Sequence, residues 1–266
     1  MSKPSRPLAR KPTLNPYSFA VREIVNRLKW DLNPISWASR REMKRWRDRF
    51  AGEKAVIVCN GPSLQRSDLS LLKGVFTFGL NKINLLYGKT DFRPSCIVAT
   101  ADPVMEQNAE FFNNTDTMLF FRNTGLRWIR PRKNMVFFHI ADQYKFARDC
   151  SLSLFGGGTV TFAALQLAFH MGFKEVALIG ADHSYSRSGP SGEMVTAGST
   201  DPDHFDPNYF AGGVNWQLPE MYLWDFSYSL AKEIYALSDR KIVNATEGGK
   251  LEIFQRMSLS TFLSAK

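Results

Sequence analysis

Short apolar runs alternate with helical patterns along most of this chain. From Lys54 onward, seven runs rich in β-branched and aromatic residues are separated by stretches with helical spacing. Several runs are apolar at every position, which is typical of strands covered on both faces. The predicted strands are 55–59, 75–80, 95–101, 117–121, 134–140, 175–182 and 241–245, and the predicted helices are 104–112, 142–150, 160–172 and 219–237. This order predicts an α/β domain on a doubly wound, Rossmann-like, mostly parallel sheet.

One segment, 183–218, interrupts the alternation. It is dense in Gly, Pro, Ser and Asp, and it is longer than most connections in compact domains. It also carries aromatic residues such as Tyr185 and Tyr209, which disordered segments usually lack. We therefore predict that 183–218 is a lid inserted into a catalytic domain spanning 51–266.

The N-terminal residues 1–50 differ from the rest in charge. They contain 13 of the 34 Lys and Arg but 4 of the 25 Asp and Glu, so residues 51–266 hold 21 of each. The spacing predicts two helices, 16–30 and 35–50, which together would form a basic helical extension. Two interpretations stay open: a peripheral contact with anionic lipid or an acidic partner, or a helix packed on the body with a solvated basic face. We expect this segment to govern association rather than chemistry.

Composition narrows the classes of protein further. Because the body is neutral, the overall charge of +9 does not predict a nucleic-acid partner. Cys59, Cys96 and Cys150 are too few and too scattered to predict a disulfide framework or a metal site. The sequence contains no signal peptide and no apolar run long enough to span a bilayer, so we expect a cytoplasmic protein, with peripheral attachment to the membrane as an option.

Polar residues follow the predicted strands at their carboxyl ends. The first strand runs into Asn60-Gly61-Pro62-Ser63, where Gly61 would let a ligand approach the backbone and Ser63 would offer a hydroxyl and an amide. Asn81 and Asp102 end the next two strands. Because ligands bind at this edge of such sheets, these residues predict a binding site, although the loop by itself is equally compatible with a plain turn.

A second glycine-rich loop precedes the helix predicted at 160–172. Gly157, Gly158 and Thr159 bring free amides to a helix N-terminus, which suits a phosphate, and Thr159 or Thr161 can cap the helix. The alternative is a hinge into a well-capped core helix. Asp182, at the end of a later strand, falls on the same edge of the sheet.

Two of the four histidines, His183 and His204, lie in the predicted lid. His204 is the candidate general base, with the neighbouring Asp203 to orient it, and His183 is its competitor. His139 lies in a strand and His170 in an apolar helix, so both are expected to be structural. Asp201-Pro202-Asp203 has the form of a metal-binding pair, but such pairs in polar loops usually serve turns, and no metal ligand is assigned.

Three segments carry a resemblance to known enzymes: AVIVCNGPSL, FTFGLN and GGTVTFAALQLAFHMGFKEVALIGADHSY. They resemble the core of the bacterial CMP-sialic acid-dependent sialyltransferases. They are also similar to the broader hydroxymethylpterin pyrophosphokinase-like family, which includes proteins of surface-glycan gene clusters and flagellin glycosylation factors. The stretches DHFDPNYFAGG and NATEGGKLEIF resemble its glycan-cluster branch. The resemblance covers residues 54 to about 256.

The resemblance implies roles for particular residues. Asn60, Gly61, Ser63 and Asn81 would contact a nucleotide, Thr159 would lie at its phosphate or sugar end, and a lid histidine would be the base. Tyr185, Tyr209 or the Thr159 amide would hold the leaving phosphate. The chain departs from the sialyltransferases in three places: Asp102 replaces an Asn, Tyr185 falls one residue late, and the Ser-Gly pair after Thr159 is missing.

The sequence thus predicts a glycosyltransferase that moves a sugar, such as a nonulosonic acid, from a nucleotide donor to a surface-glycan or lipid-linked acceptor. It would need no cofactor beyond a nucleotide-sugar co-substrate, with CMP as the candidate nucleotide. A pyrophosphokinase acting on a pterin-like alcohol is the alternative enzyme; it would need Mg²⁺, with Asp102, Asp182 and Asp203 as ligands. A non-catalytic nucleotide-sugar binding scaffold is the third interpretation.

Overall fold

A computed structural model describes residues 15–186, 189–190 and 192–265. Its helices are α1 (Pro16–Asp31), α2 (Pro34–Trp46), α3 (Asp102–Gln107), α4 (Ala109–Asn114), α5 (Val160–His170), α6 (Met221–Ala236) and α7 (Leu259–Ser264). Its strands are β1 (Lys54–Val58), β2 (Phe76–Leu80), β3 (Cys96–Ala99), β4 (Met118–Arg122), β5 (Met135–Phe138), β6 (Ile140–Ala141), β7 (Leu154–Phe155), β8 (Glu175–Ile179), β9 (Met194–Thr196), β10 (Asn215–Gln217), β11 (Lys241–Asn244) and β12 (Gln255–Arg256).

Eight strands form one parallel sheet in the order β12-β11-β8-β1-β2-β3-β4-β5. From β1 the chain builds one half of the sheet through β5, and β8, β11 and β12 build the other half. The predicted doubly wound α/β fold is therefore confirmed. Because the strand order reverses between β1 and β8, the crevice beyond their carboxyl ends is where such sheets bind ligands.

The seven predicted strands are all present because each is apolar enough to be covered on both faces. In β1, Ile57 belongs to the core on one side of the sheet, with α5 and α6. Val56 and Val58 belong to the core on the other side. All three side chains are fully buried. Of the eight strands in the sheet, only the two-residue edge strand β12 was not predicted.

The helix predictions are confirmed for α1, α2, α5 and α6, and two others need correction. The stretch 142–150 is not helical, because side chains of α5 bind its amides: Ala147 donates to Gln166 Oε1 over 2.9 Å and Cys150 donates to His170 Nδ1 over 3.3 Å. The stretch 104–112 is divided into α3 and α4 at Asn108, whose side-chain amide is paired with that of Asn84.

The N-terminal helices do not form one separate extension. On α2, Met43 is buried in the core, and the backbone amide of Phe137 in β5 donates to Ser39 Oγ over 3.1 Å. Residues 34–50 therefore belong to the domain, which moves the predicted boundary at residue 50. Helix α1 lies further out and is anchored through the buried Trp30.

The predicted lid contains a short antiparallel hairpin of β9 and β10. The three cysteines are free and buried, as expected for small apolar residues. Among the described residues, none of the helices combines the length and apolarity required to cross a bilayer.

Candidate functional site

A cleft of about 680 Å³ opens at the carboxyl edge of the sheet, where the strand order reverses. Its floor is formed by the residues that follow β1, β2, β3 and β8 and by Arg122, the last residue of β4. The loop before α5, the start of α6 and residues of the predicted lid, 183–218, also line it. We call Asn60, Asn81, Arg122 and the loop 156–160 the sheet wall, and His183, Tyr185, Asp203 and His204 the lid wall; all of them line the cleft.

Two asparagines of the sheet wall carry buried oxygens without a partner. Asn60 is 8% exposed, and its Oδ1 makes no hydrogen bond among the described residues. The same holds for Oδ1 of Asn81, which adopts a left-handed conformation with φ of +50°. Buried polar atoms are nearly always hydrogen-bonded, so these two carbonyls are available to a ligand or to ordered water. Both were predicted site residues, and the structure brings them to one cleft.

The glycine-rich loop reaches the cleft at the N-terminus of α5. Thr159 caps the helix, since its side chain accepts from the Thr161 amide over 3.2 Å. The consecutive amides of residues 157–160 donate no hydrogen bond within the described parts of the chain. Gly158 has φ of +72°, and a Cβ there would lie 2.9 Å from Trp224. Free amides at a helix N-terminus form a site suited to an anion.

Arg122, the last residue of β4, is a cleft residue that the sequence reasoning missed. Its side chain makes no ion pair or hydrogen bond among the described residues, and its buried Nε has no partner. Its position at the carboxyl end of a predicted strand, the criterion applied to Asn81 and Asp102, was the available indication. An unpaired guanidinium in the same cleft as the free amides of residues 157–160 gives the sheet wall a positive character that suits phosphate.

Part of the loop Asn60-Gly61-Pro62-Ser63 packs against Asp182, which follows β8. A Cβ on Gly61 would lie 2.0 Å from Oδ2 of Asp182, so the glycine makes room for that carboxylate, and both residues line the cleft. The carboxylate accepts from the Ser63 amide at 3.2 Å and from the Ser63 hydroxyl at 2.6 Å. Ser63 is fully buried, and neither it nor Pro62 lines the cleft. These contacts tie the end of β1 to the end of β8.

Asp102 is also placed differently from the prediction. Its carboxylate accepts from the Thr124 hydroxyl over 2.5 Å and faces Arg127 at 3.6 Å. The residue does not line the cleft, because the chain turns into α3 directly at this position. Thr100 and Ala101 occupy the edge of the sheet instead.

His204 on the lid wall is held by a buried carboxylate. Its Nδ1 lies 2.8 Å from Oδ2 of Asp201, whereas Asp203, the predicted partner, accepts from Ser186. Burial tends to raise the pKa of Asp201, but hydrogen bonds from His204 and from the Asp203 and Phe210 amides hold that pKa below its usual value. An ionised Asp201 fixes the proton on Nδ1, which leaves Nε2 of His204 as a proton acceptor.

His183 forms a second pair of the same kind. Its Nε2 lies 2.7 Å from Oδ1 of Asp225 on α6, and its backbone has φ of +53°. Non-glycine residues rarely adopt this conformation, and it recurs at functional sites. The carboxylates differ in environment, because the side chain of Asp225 is 54% exposed and that of Asp201 is 6% exposed. Asp225 was not anticipated, since nothing in the sequence connects α6 with the end of β8.

Aromatic contacts join the two walls. The Trp224 indole donates to the Gly158 carbonyl over 2.7 Å, and its ring lies 5.6 Å from that of Tyr185. Tyr185 in turn lies 6.4 Å from the ring of His204. Burial, together with the neighbouring Tyr228 and Tyr209, raises the pKa of Tyr185 well above its usual value. At neutral pH the Tyr185 phenol is therefore a hydrogen-bond donor and not a base.

Tyr209 lies beneath the lid wall and does not line the cleft. Its ring stacks on His204 with centroids 4.0 Å apart and planes nearly parallel, so it supports the histidine instead of contacting a leaving phosphate. Lys82 supports this cluster from below: its Nζ donates to the Tyr209 carbonyl over 2.7 Å and faces the Phe210 ring at 4.8 Å. Burial lowers the pKa of Lys82 to about 8, and Asp201 opposes that shift.

The inner side of α1 lines one end of the cleft. Arg22, Glu23 and Asn26 face it, and Arg22 pairs with Asp142 at 3.3 Å. The expectation that residues 1–50 lie away from the chemistry is therefore incomplete, since α1 forms part of the rim of the cleft.

The other two histidines are structural, as predicted. His139 is buried, with its Nδ1 3.0 Å from Ser153 Oγ, and burial with nearby arginines lowers its pKa to about 4. His170 is buried and bonded to the Met43 carbonyl over 2.9 Å.

Comparison with known proteins gives a family match and a structural neighbour. The family model described as 6-hydroxymethylpterin diphosphokinase MptE-like matches residues 33–188, a segment that begins next to α2 and ends within the lid. No curated protein matches significantly. Among solved structures, the MAf glycosyltransferase from Magnetospirillum magneticum AMB-1 aligns with a TM-score of 0.49 and 16% identity over 85% of this chain. The aligned part is 39% of that longer protein.

Proposed function

The chain belongs to the 6-hydroxymethylpterin diphosphokinase MptE-like family, and on that premise we propose that it is a glycosyltransferase whose cleft binds a nucleotide-activated sugar. The observation that carries the proposal is the pairing of an anion-binding wall with a wall of carboxylate-held histidines across one cleft. Glycosyl transfer needs both: a site for a leaving phosphate and a base for the acceptor hydroxyl.

In the proposed reaction, Nε2 of His204 takes the proton of the acceptor hydroxyl. The acceptor oxygen forms a bond to the anomeric carbon of the donor sugar while the bond from that carbon to the phosphate oxygen breaks. The electron pair of the broken bond remains on the nucleotide phosphate. The amides of residues 157–160, Arg122 and the Tyr185 hydroxyl are the groups that would stabilise this charge.

The nucleotide would extend from the phosphate site along the floor of the cleft. The free carbonyls of Asn60 and Asn81 accept hydrogen bonds, so they suit the exocyclic amine of a base or a ribose hydroxyl. Cytosine, adenine and guanine carry such an amine and uracil does not. We propose CMP as the nucleotide, with a nonulosonic acid as the sugar and a surface-glycan or lipid-linked acceptor.

The family description supports the alternative, a magnesium-dependent diphosphokinase. Its candidate ligands Asp102, Asp182 and Asp203 are each engaged by a different protein group, respectively Thr124, Ser63 and Ser186. Within the described ranges there is no cluster of three or more metal-ligating side chains. Because Mg²⁺ is usually held by one or two carboxylates together with substrate phosphates, the Mg²⁺ arms of the experiment below distinguish the two reactions, and sugar transfer is our first proposal.

A thermal-shift screen of CMP, UDP, GDP and ATP, each with and without Mg²⁺, tests the proposal. A ligand that binds only the folded protein raises the melting temperature by mass action. We expect CMP to stabilise the wild-type protein without Mg²⁺ and to stabilise Arg122→Gln much less. Arg127→Gln is the matched control, because Arg127 lies outside the cleft next to Asp102.

If ATP is the single nucleotide that stabilises the protein, and if it does so only in the presence of Mg²⁺, the result would favour the diphosphokinase. Equal stabilisation of wild type and Arg122→Gln by CMP would contradict the proposed phosphate site.

A further inference from the structure

Helix α1 carries an apolar stripe that faces away from the protein. Tyr17, Val21, Ile24 and Leu28 recur every three or four residues, and Leu32 follows at the C-terminal cap. Each of these five side chains is more than half exposed. An α-helix turns about 100° per residue, so the five residues lie on one side of α1, and we call them the α1 stripe.

The opposite side of α1 fixes the helix to the domain. Trp30 is buried in the core, and Arg27 donates to the Leu152 carbonyl over 2.7 Å and to Ser153 Oγ over 2.6 Å. The α1 stripe therefore cannot turn inward without breaking these contacts. No other part of the described chain covers it, and a contiguous exposed apolar surface of this kind marks an interaction site.

The surface next to the α1 stripe is basic. On α2, Trp37, Arg41 and Lys44 are exposed at i, i+4 and i+7, opposite the buried Ser39 and Met43. The Trp37 indole donates to the Asp31 carbonyl over 2.7 Å, which joins this face to the end of α1. Within the described residues, Lys29, Arg41 and Lys44 form no ion pair, so their charges are open to a partner.

The chain that precedes α1 adds charge of the same sign. Residues 1–14 contain Lys3, Arg6, Arg10 and Lys11 and no acidic residue. An exposed apolar stripe flanked by unpaired basic residues is the composition of helices that lie in the interface of an anionic bilayer. The apolar side chains of such helices enter the headgroup region, and the basic residues are attracted to the negative surface.

We propose that α1 and the exposed face of α2 dock the protein on the surface of an anionic membrane, with the α1 stripe in the headgroup region. Because Arg22, Glu23 and Asn26 on the inner side of α1 line the cleft, docking places the cleft about one helix diameter, ~10 Å, from the bilayer surface. This docking does not depend on which reaction the cleft catalyses.

Co-sedimentation with vesicles tests the proposal. The probes are vesicles of phosphatidylcholine and vesicles of phosphatidylcholine mixed with phosphatidylglycerol in equal parts. We expect the wild-type protein to bind the mixed vesicles, to bind pure phosphatidylcholine far less, and to dissociate as salt is raised. Val21→Gln/Ile24→Gln/Leu28→Gln should lower the partition coefficient at least tenfold, because these three apolar side chains no longer enter the headgroup region.

Matched controls come from α6 and its C-terminal cap, where Tyr222 and Leu237 are more exposed than Val21, Ile24 and Leu28. Tyr222→Gln/Leu237→Gln should bind like wild type. Because the α1 stripe residues are exposed, the triple variant should also keep the wild-type melting temperature. Lys29→Glu/Arg41→Glu/Lys44→Glu should lose binding to the mixed vesicles, and its weak binding to pure phosphatidylcholine should stay unchanged.

Vesicle binding by the triple variant equal to that of wild type would overturn the proposal, as would a wild-type protein that binds neither vesicle. A self-association of wild type that the triple variant lacks, seen by light scattering without vesicle binding, would assign the stripe to contacts between copies and overturn the membrane proposal. Nucleotide binding is measured separately, so a failure of the proposed reaction leaves this test intact.

Discussion

On the sheet wall of the cleft, the side chains of Asn60, Asn81 and Arg122 keep buried atoms without a partner in the described part of the chain, and the four consecutive amides of residues 157–160 donate no hydrogen bond there. On the lid wall, His204 and His183 each have a carboxylate partner within 2.8 Å, and Asp203 accepts two hydrogen bonds from Ser186. The polar groups of the sheet wall lack hydrogen-bond partners in the described part of the chain, whereas those of the lid wall named here have protein partners.

We infer from this difference that the sheet wall binds the ligand and that the lid wall positions the groups that exchange a proton. An unpaired buried polar group is costly for the free protein, and the cost is recovered when a ligand supplies the partner. A histidine held by a carboxylate is already oriented, with one nitrogen left to exchange a proton. We therefore expect substitutions on the sheet wall to change ligand affinity and substitutions on the lid wall to change turnover.

The largest expected effect is on the lid wall. His204→Ala should lower kcat by roughly 10²-fold or more while donor affinity changes little, because a general base acts in the transition state. His183→Ala should cost less, since its partner Asp225 is half exposed and orients the ring less firmly than the buried Asp201. Steady-state kinetics with calorimetric donor binding would measure both.

Three outcomes would change the assignment of the base. Full activity of His204→Ala with a dead His183→Ala would move the role to His183. If donor binding falls as much as kcat, His204 contacts the donor, and the proposed difference in role between the sheet wall and the lid wall is wrong. Donor binding without any turnover by the wild-type protein would support the non-catalytic scaffold.

A smaller effect should distinguish two residues of one loop. Asn60→Ala removes an unpaired acceptor, so nucleotide affinity should fall about tenfold, equivalent to ~1.4 kcal/mol, without loss of stability. Ser63→Ala removes the hydroxyl bonded to Asp182, so the free energy of unfolding should fall by about 1–3 kcal/mol with affinity preserved. Urea unfolding and calorimetry measure the two quantities. The reverse pattern would show that Ser63, not Asn60, is the ligand contact.

The smallest expected effect concerns the support beneath the lid wall. The folded pKa of Lys82, about 8, lies below its unfolded value near 10.5, so the unfolded chain binds more protons between these pH values. Stability of the wild type should therefore rise relative to Lys82→Met as pH increases from 8 toward 10.5. Urea midpoints of both proteins across this range measure it. Parallel pH curves would mean that Lys82 is not buried as described.

Sequence patterns found the sheet because strands of a parallel sheet must be apolar on both faces, and β1 and β8 are apolar at every position after their first residue. The same edge rule located Asn60, Asn81 and the loop before α5. The rule also predicted Asp102 as a site residue, but its carboxylate faces Thr124 and Arg127 and does not line the cleft. A residue's place at the end of a strand is a local property, but the direction of its side chain is not.

The sequence by itself determined the strand order along the chain, the glycine-rich loop before a capped helix, the lid segment and the basic N-terminus, because each depends on neighbours within a few residues. Only the tertiary structure decided that Asp201 rather than Asp203 holds His204, that Asp225 holds His183, and that Gly61 makes room for Asp182. His183 and Asp225 are 42 positions apart, and Gly61 and Asp182 lie even further from each other in the chain. Contacts at such separations follow from how helices and strands pack, which no local pattern of residues specifies.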